Sequence, residues 1–106
     1  MNKSYYIETY GCQMNVADSE LVENILVNQG YYKSKTLQDA DVIFINTCSI
    51  REHAEDKVYS QLGRYDIIKK KKPSVLIGVL GCMAQSLKNE ILQNKPYVDI
   101  VLGPAL

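Results

Sequence analysis

The run Val42-Ile43-Phe44-Ile45-Asn46 presents apolar side chains to both faces of an extended segment. A strand with one wet face alternates apolar and polar residues. A run without alternation reads as a strand covered on both faces, which is how a central parallel strand looks. Val75 to Leu80 has the same character. Between the two runs, Ala54, Val58, Leu62 and Tyr65 recur at helical spacing and predict a helix over about Arg51 to Lys70. Glu52, Glu55 and Asp56 in its early turns and Lys69 to Lys72 at its end suit the helix dipole, and Pro73 forbids continuation.

The same alternation extends outward. Ser4 to Tyr10 reads as a strand rich in Tyr, Ile and Thr. A helix over about Asn15 to Gln29 carries Leu21, Val22, Ile25 and Leu26 as its buried stripe and stops at Gly30. A short polar strand over Tyr31 to Lys35 belongs at a sheet edge, and a turn covers Leu37 to Ala40. A third helix over about Ala84 to Asn94, with Leu87 and Ile91 inward, ends at Pro96, and Val98 to Leu102 is a fifth strand. Strands joined through helices run parallel with right-handed crossovers. The expected fold is α/β: a doubly wound parallel five-strand sheet, flavodoxin-like order 2-1-3-4-5, in three α/β/α layers, all of it one domain over residues 1–106.

Composition narrows the class. Hydrophobic residues at 46% and charged residues at 23% support a packed core in a chain of 106 residues. A formal net charge of +0 supplies no global field toward nucleic acid or membrane. The longest apolar run falls far short of the roughly 20 residues a membrane helix needs, and the first ten residues contain no apolar signal segment. A cytoplasmic chain with no membrane partner is expected. It ends four residues after its last strand, which reads as a piece of a longer protein.

Three cysteines, an odd count in a compartment hostile to disulfides, point to metal binding or catalysis. Each holds the same address: Cys12 follows the first strand, Cys48 the third and Cys82 the fourth, and a helix comes after each. In a parallel sheet all carboxyl ends share one edge, and in the order 2-1-3-4-5 these three strands are neighbours about 4.8 Å apart. Ligands bind in such sheets at the switch point, here between the first and third strands. A disulfide would use only two of the thiols. Zinc would need His53 or water as a fourth ligand. A four-iron cluster on three thiolates leaves one iron open for chemistry. Three small buried hydrophobes with no ligand role remain the bland alternative.

The residues around these cysteines are similar to a known family. Tyr10-Gly11-Cys12-Gln13-Met14-Asn15, Asn46-Thr47-Cys48-Ser49-Ile50-Arg51 and Gly81-Cys82-Met83-Ala84-Gln85 resemble the three motifs of the methylthiotransferases, and the likeness runs through Leu102-Gly103-Pro104. The Gln-Met-Asn and Ser-Ile-Arg that follow the first two cysteines resemble the tRNA branch. The resemblance implies that Cys12, Cys48 and Cys82 ligate an auxiliary [4Fe–4S] cluster whose open iron carries the sulfur delivered to isopentenyladenosine, beside the anticodon. It also implies a longer radical enzyme with a second [4Fe–4S] cluster on Cys-x-x-x-Cys-x-x-Cys, S-adenosylmethionine, an electron donor and a tRNA-binding tail. The present sequence has no Cys-x-x-x-Cys-x-x-Cys, so taken alone it is expected to bind a cluster, as a monomer, and to catalyse nothing.

Around the ligands, Asn15, Asn46, Thr47 and Ser49 suit either hydrogen bonding to cluster or substrate or the capping of the following helices. Arg51 suits a tRNA phosphate or a surface ion pair. His53 reads as a solvated helix residue and Lys69 to Lys72 as a solvated helix end, against the sharper readings of a metal ligand and an RNA patch. A flavin module at the same strand edge would need a Ser/Thr-rich phosphate loop, which is missing, as are the Gly-x-Gly-x-x-Gly and P-loop patterns.

Overall fold

A computed structural model describes residues 3–10, 13–47, 52–81, 89, 91–93 and 95–102. The elements are β1 (Ser4–Tyr10), α1 (Gln13–Asn28), β2 (Tyr32–Lys33), β3 (Val42–Thr47), α2 (Glu52–Lys71), β4 (Leu76–Leu80) and β5 (Ile100–Leu102), with a further helical segment at residues 89 and 91–93. The strands form one sheet in the order β2-β1-β3-β4-β5, and every pairing is parallel. This is the doubly wound arrangement that the apolar central runs imply.

β3 is buried along its whole length, because its two faces feed two cores. Ile43 and Ile45 pack with Leu62 and Tyr65 of α2 and with Ile77, Val79, Ile91, Val98 and Val101. Val42 and Phe44 face the other way and join Tyr5 and Leu80 beneath Val22 and Leu26 of α1. On that second face the Phe44 ring leans over β4. Its Cδ1 and Cε1 stand 2.5 and 2.6 Å from where a β-carbon on Gly78 would sit, so the ring occupies the place of a β4 side chain.

The apolar stripe expected on α1 is half wrong. Val22 and Leu26 do pack inward, but Leu21 and Ile25 are 46% and 54% exposed. Ser19 and Glu23 take the inner positions instead, because the sheet presents polar groups to that face. The Tyr5 hydroxyl donates to Glu23 Oε2 at 2.9 Å, and Ser19 bonds Thr9 and Asn46. The inner stripe is thus 19, 22, 23 and 26, which is also a helical spacing. The helix closes with Gly30 at φ 93°, where Tyr31 N–H reaches Leu26 O and Gly30 N–H reaches Val27 O, each at 3.0 Å. That pair of bonds is a Schellman cap, and it requires the left-handed conformation that glycine supplies.

Two strands are shorter than the sequence suggests. β2 ends at Lys33, since the Ser34 hydroxyl turns back to donate to Thr36 O at 2.6 Å. β5 begins at Ile100, because Val98 N–H is held in a turn by Lys95 O; Val98 is buried nonetheless. Of the α2 stripe, Leu62 and Tyr65 are fully buried, while the side chains of Ala54 and Val58, and the expected Leu87, lie outside the described residues.

The lysine run is not simply solvated. Lys72 Nζ pairs with Asp41 Oδ1 at 2.9 Å and donates to Ala40 O. Lys69 Nζ pairs with Asp99 Oδ2 at 2.5 Å and donates to Tyr97 O, and Lys70 pairs with Asp66 one turn back. Two of the four ammonium groups therefore bind the end of α2 to the amino edge of the sheet. None of the helices among the described residues is long and apolar enough to cross a membrane.

Candidate functional site at the carboxyl rim of the sheet

In an all-parallel sheet the carboxyl ends of the strands form one rim, and here three of them meet in register. Tyr10 of β1 lies opposite Thr47 of β3, and Asn46 of β3 lies opposite Leu80 of β4. Cys48 follows Thr47 directly, while Cys12 and Cys82 follow Tyr10 and Leu80 with one glycine between. The backbone thus reaches all three cysteines from adjacent strand ends. Cys12, Cys48, Cys82, Ser49 and Arg51 themselves lie outside the described residues, as do the side chains of Asn15 and His53. Of the expected site residues, Asn46 and Thr47 are the two with described side chains.

Gly81 shows how closely the strands meet. Its φ of 101° is a left-handed conformation that a residue with a β-carbon rarely adopts. A β-carbon there would collide with Thr47 O and would stand 2.8 Å from Asn46 Oδ1. Its N–H reaches Leu102 O at 3.1 Å, which ties the rim to β5. The absence of a side chain at Gly81 is what lets the β3 and β4 exits approach.

Asn46 and Thr47 are both fully buried and face opposite sides of the sheet. Asn46 Nδ2 donates to Ser19 Oγ at 3.0 Å, and Ser19 Oγ lies 2.7 Å from Thr9 Oγ1. Among the described residues, Thr47 Oγ1 is a buried hydroxyl with no hydrogen-bond partner. Buried polar atoms are nearly always satisfied, so this hydroxyl, one residue from a candidate ligand, is suited to a partner beyond the described residues.

A second polar group braces the rim from the α2 side. Glu8 Oε1 accepts from Gln61 Nε2 at 2.6 Å and from the Tyr65 hydroxyl at 2.8 Å, and Glu8 Oε2 accepts from the Tyr10 hydroxyl at 2.9 Å. Burial, and then the negative charge and hydrogen bond of Glu8, hold the Tyr65 hydroxyl far above the ordinary tyrosine range. Tyr10 is raised for the same reasons, with Arg64 opposing. Both phenols stay neutral and donate, which fixes the last turn of β1 against α2 just before Cys12.

The profile of one family, described as "Uncharacterized protein family UPF0004", matches residues 4–103. The chain belongs to that family. Its similar curated relatives include three proteins named tRNA-2-methylthio-N(6)-dimethylallyladenosine synthase. The one from Dictyoglomus thermophilum is 54% identical over 99 residues, covering 93% of this chain and 22% of the relative. The one from Bacteroides thetaiotaomicron is 50% identical over 103 residues, covering 97% and 22%. A Ruegeria relative is 54% identical over 102 residues, covering 96% and 23%. The chain thus spans between a fifth and a quarter of the length of these relatives.

Sequence reasoning missed Ser19, Thr9 and Glu8 at the rim. Their contacts reach across elements, so no local pattern marks them. The one available signal is Ser19 itself, a polar residue three positions before Val22 and seven before Leu26, and hence on the inward stripe.

Proposed function

We propose that this chain is the N-terminal, cluster-bearing domain of a tRNA methylthiotransferase, with Cys12, Cys48 and Cys82 holding one auxiliary [4Fe–4S] cluster. The observation that carries the reading is the registered rim, in which three adjacent strand ends each lead within two residues to a cysteine. The names of the relatives supply the reaction class, addition of a methylthio group to dimethylallyladenosine in tRNA.

Three features in and beside the described residues support this reading. Three thiolates satisfy three irons and leave a fourth open. Thr47 Oγ1, a hydroxyl without a partner among the described residues, is able to donate to a sulfur. α1 begins directly after Cys12, and its free N–H groups and positive end favour an anionic centre. When bound, the cluster would supply the sulfur through its open iron. The protein's own part is to position. Gly81 admits the close approach of the Cys48 and Cys82 exits, and the Glu8 group holds the Cys12 exit against α2. Asn15, Ser49 and Arg51 are proposed contacts to the cluster or the substrate. The radical cleavage of S-adenosylmethionine, the second cluster, the electron donor and the grip on tRNA belong to the rest of a longer enzyme, so this chain alone is proposed to be inactive, cytoplasmic and monomeric.

Anaerobic reconstitution with iron and sulfide tests the reading. A brown protein holding about four irons per chain is expected, and Cys48→Ala should lose that iron while keeping its circular dichroism spectrum. A yellow protein as purified, or tight zinc with no iron uptake, would overturn it.

A further inference from the structure

Thr47 is the last residue of β3, and its side chain is fully buried. The alternation that points Ile43 and Ile45 at α2 puts Thr47 on the same face. Among the described residues its hydroxyl has no hydrogen-bond partner. Its neighbours are spent on other bonds. Tyr10 lies opposite Thr47 on β1, but the Tyr10 hydroxyl donates to Glu8 Oε2, and Glu8 Oε1 takes Gln61 and Tyr65. Toward β4, Gly81 offers no side chain and abuts the Thr47 carbonyl. The Thr47 backbone is thus held from both sides. A β-branched side chain is also stiff about χ1, so the hydroxyl has little freedom to seek a bond elsewhere. Valine has the same shape and would fill this place without burying a polar atom.

We infer that the Thr47 hydroxyl is a donor held open by the fold for a sulfur of the cluster, so that it raises the reduction potential of the loaded site at the expense of the iron-free domain's stability. The inference rests on the cluster reading above and deepens it, since it names the residue that links loading to stability. A buried hydroxyl without a partner costs free energy until one arrives. Reduction adds negative charge to the sulfurs, so a donor to one of them favours the reduced state. Hydrogen bonds to sulfur are among the features that set the potentials of such centres.

Thr47→Val keeps the shape and removes the hydroxyl, and Thr47→Ser keeps the hydroxyl. Iron-free Thr47→Val should unfold in urea at the parent's midpoint or above it, because no bond is lost. After anaerobic reconstitution it should hold as much iron as the parent at a lower reduction potential, while Thr47→Ser keeps the parent's potential. Thr47→Ser and Thr47→Ala differ from each other only in the hydroxyl, and the same comparison of potentials between them serves if Thr47→Val does not fold. A urea midpoint of iron-free Thr47→Val below the parent's would show the hydroxyl already paired within the protein and would overturn the open donor. An unchanged potential at equal iron content would overturn its bond to the site. Either result, with normal iron uptake by the parent, defeats this inference alone. Failure of the parent to take up iron would instead sink the cluster reading, and this inference with it.

Discussion

Asp41 and Asp99 hold equivalent places at the amino edge of the sheet. Asp41 Oδ2 accepts the Ser4 N–H at 2.8 Å and Asp99 Oδ2 accepts the Ile77 N–H at 2.9 Å. Each also pairs with a lysine from the last turn of α2 or the residue after it, Lys72 and Lys69 respectively. One carboxylate joins β1 to β3 and the other joins β4 to the entry of β5, and both bind the same helix end.

The Asp41 pair makes stability depend on acid. The Ser4 backbone N–H first, and Lys72 second, hold its carboxyl below the usual value of 3.8. A depressed folded pKa contributes stability above the unfolded value, and that contribution is lost as pH falls through the folded value. Asp41→Asn should lower stability at neutral pH by about 1 kcal/mol, the worth of a hydrogen bond to a partly exposed charge. The gap between variant and parent should close below about pH 4. Thermal melts at neutral and acid pH measure both.

Tyr5 gives the opposite sign at the alkaline end. Burial, and then its bond to Glu23, push its hydroxyl up to about 12. A raised folded pKa contributes stability below the unfolded value of 10.0, which is lost as pH rises through the folded one. Tyr5 should stay neutral at pH 11 while exposed tyrosines ionise, and Tyr5→Phe should flatten the alkaline limb of the stability curve. Absorbance titration of tyrosinate checks the first, and alkaline melts check the second.

Two glycines should respond in opposite ways to alanine. Gly81→Ala places a methyl against Thr47 O in a left-handed backbone and should cost about 1–3 kcal/mol or more, with loss of iron uptake. Gly63, inside α2, has nothing within 4 Å of where its β-carbon would sit. Gly63→Ala should stabilise by about 0.5–1 kcal/mol through helix propensity. Denaturant melts of the two variants decide it, and equal effects would contradict the packing described for the rim.

Tyr65→Phe isolates one bond of the rim brace. Removing a buried donor to Glu8 should cost about 1 kcal/mol and leave the carboxylate with Gln61 and Tyr10. Urea melts measure the loss.

What the sequence revealed follows from how local each signal is. The apolar runs at Val42 and Val75 and the helical spacing between them dictate central parallel strands, and the polar Tyr32-Lys33 strand takes the edge as its composition implies. The α1 stripe misled because hydrophobicity alone puts Leu21 and Ile25 inward. The winning arrangement satisfies buried polar groups at Tyr5, Thr9 and Asn46, and those become visible only once β1 and β3 are paired. The lysine run misled for a like reason, since its acceptors Asp41 and Asp99 stand just before β3 and β5, far from it in sequence. Asn46 and Thr47 could be named from their place beside Cys48, but the hydroxyl at Ser19 that holds Asn46 could not.

α2 is 20 residues long, about 30 Å at 1.5 Å per residue, and its lysine fastening sits at the end remote from Cys48. The lysine fastening and the strand ends that lead to the cysteines are thus housed at opposite poles of one helix, so loosening the first does not directly displace the second.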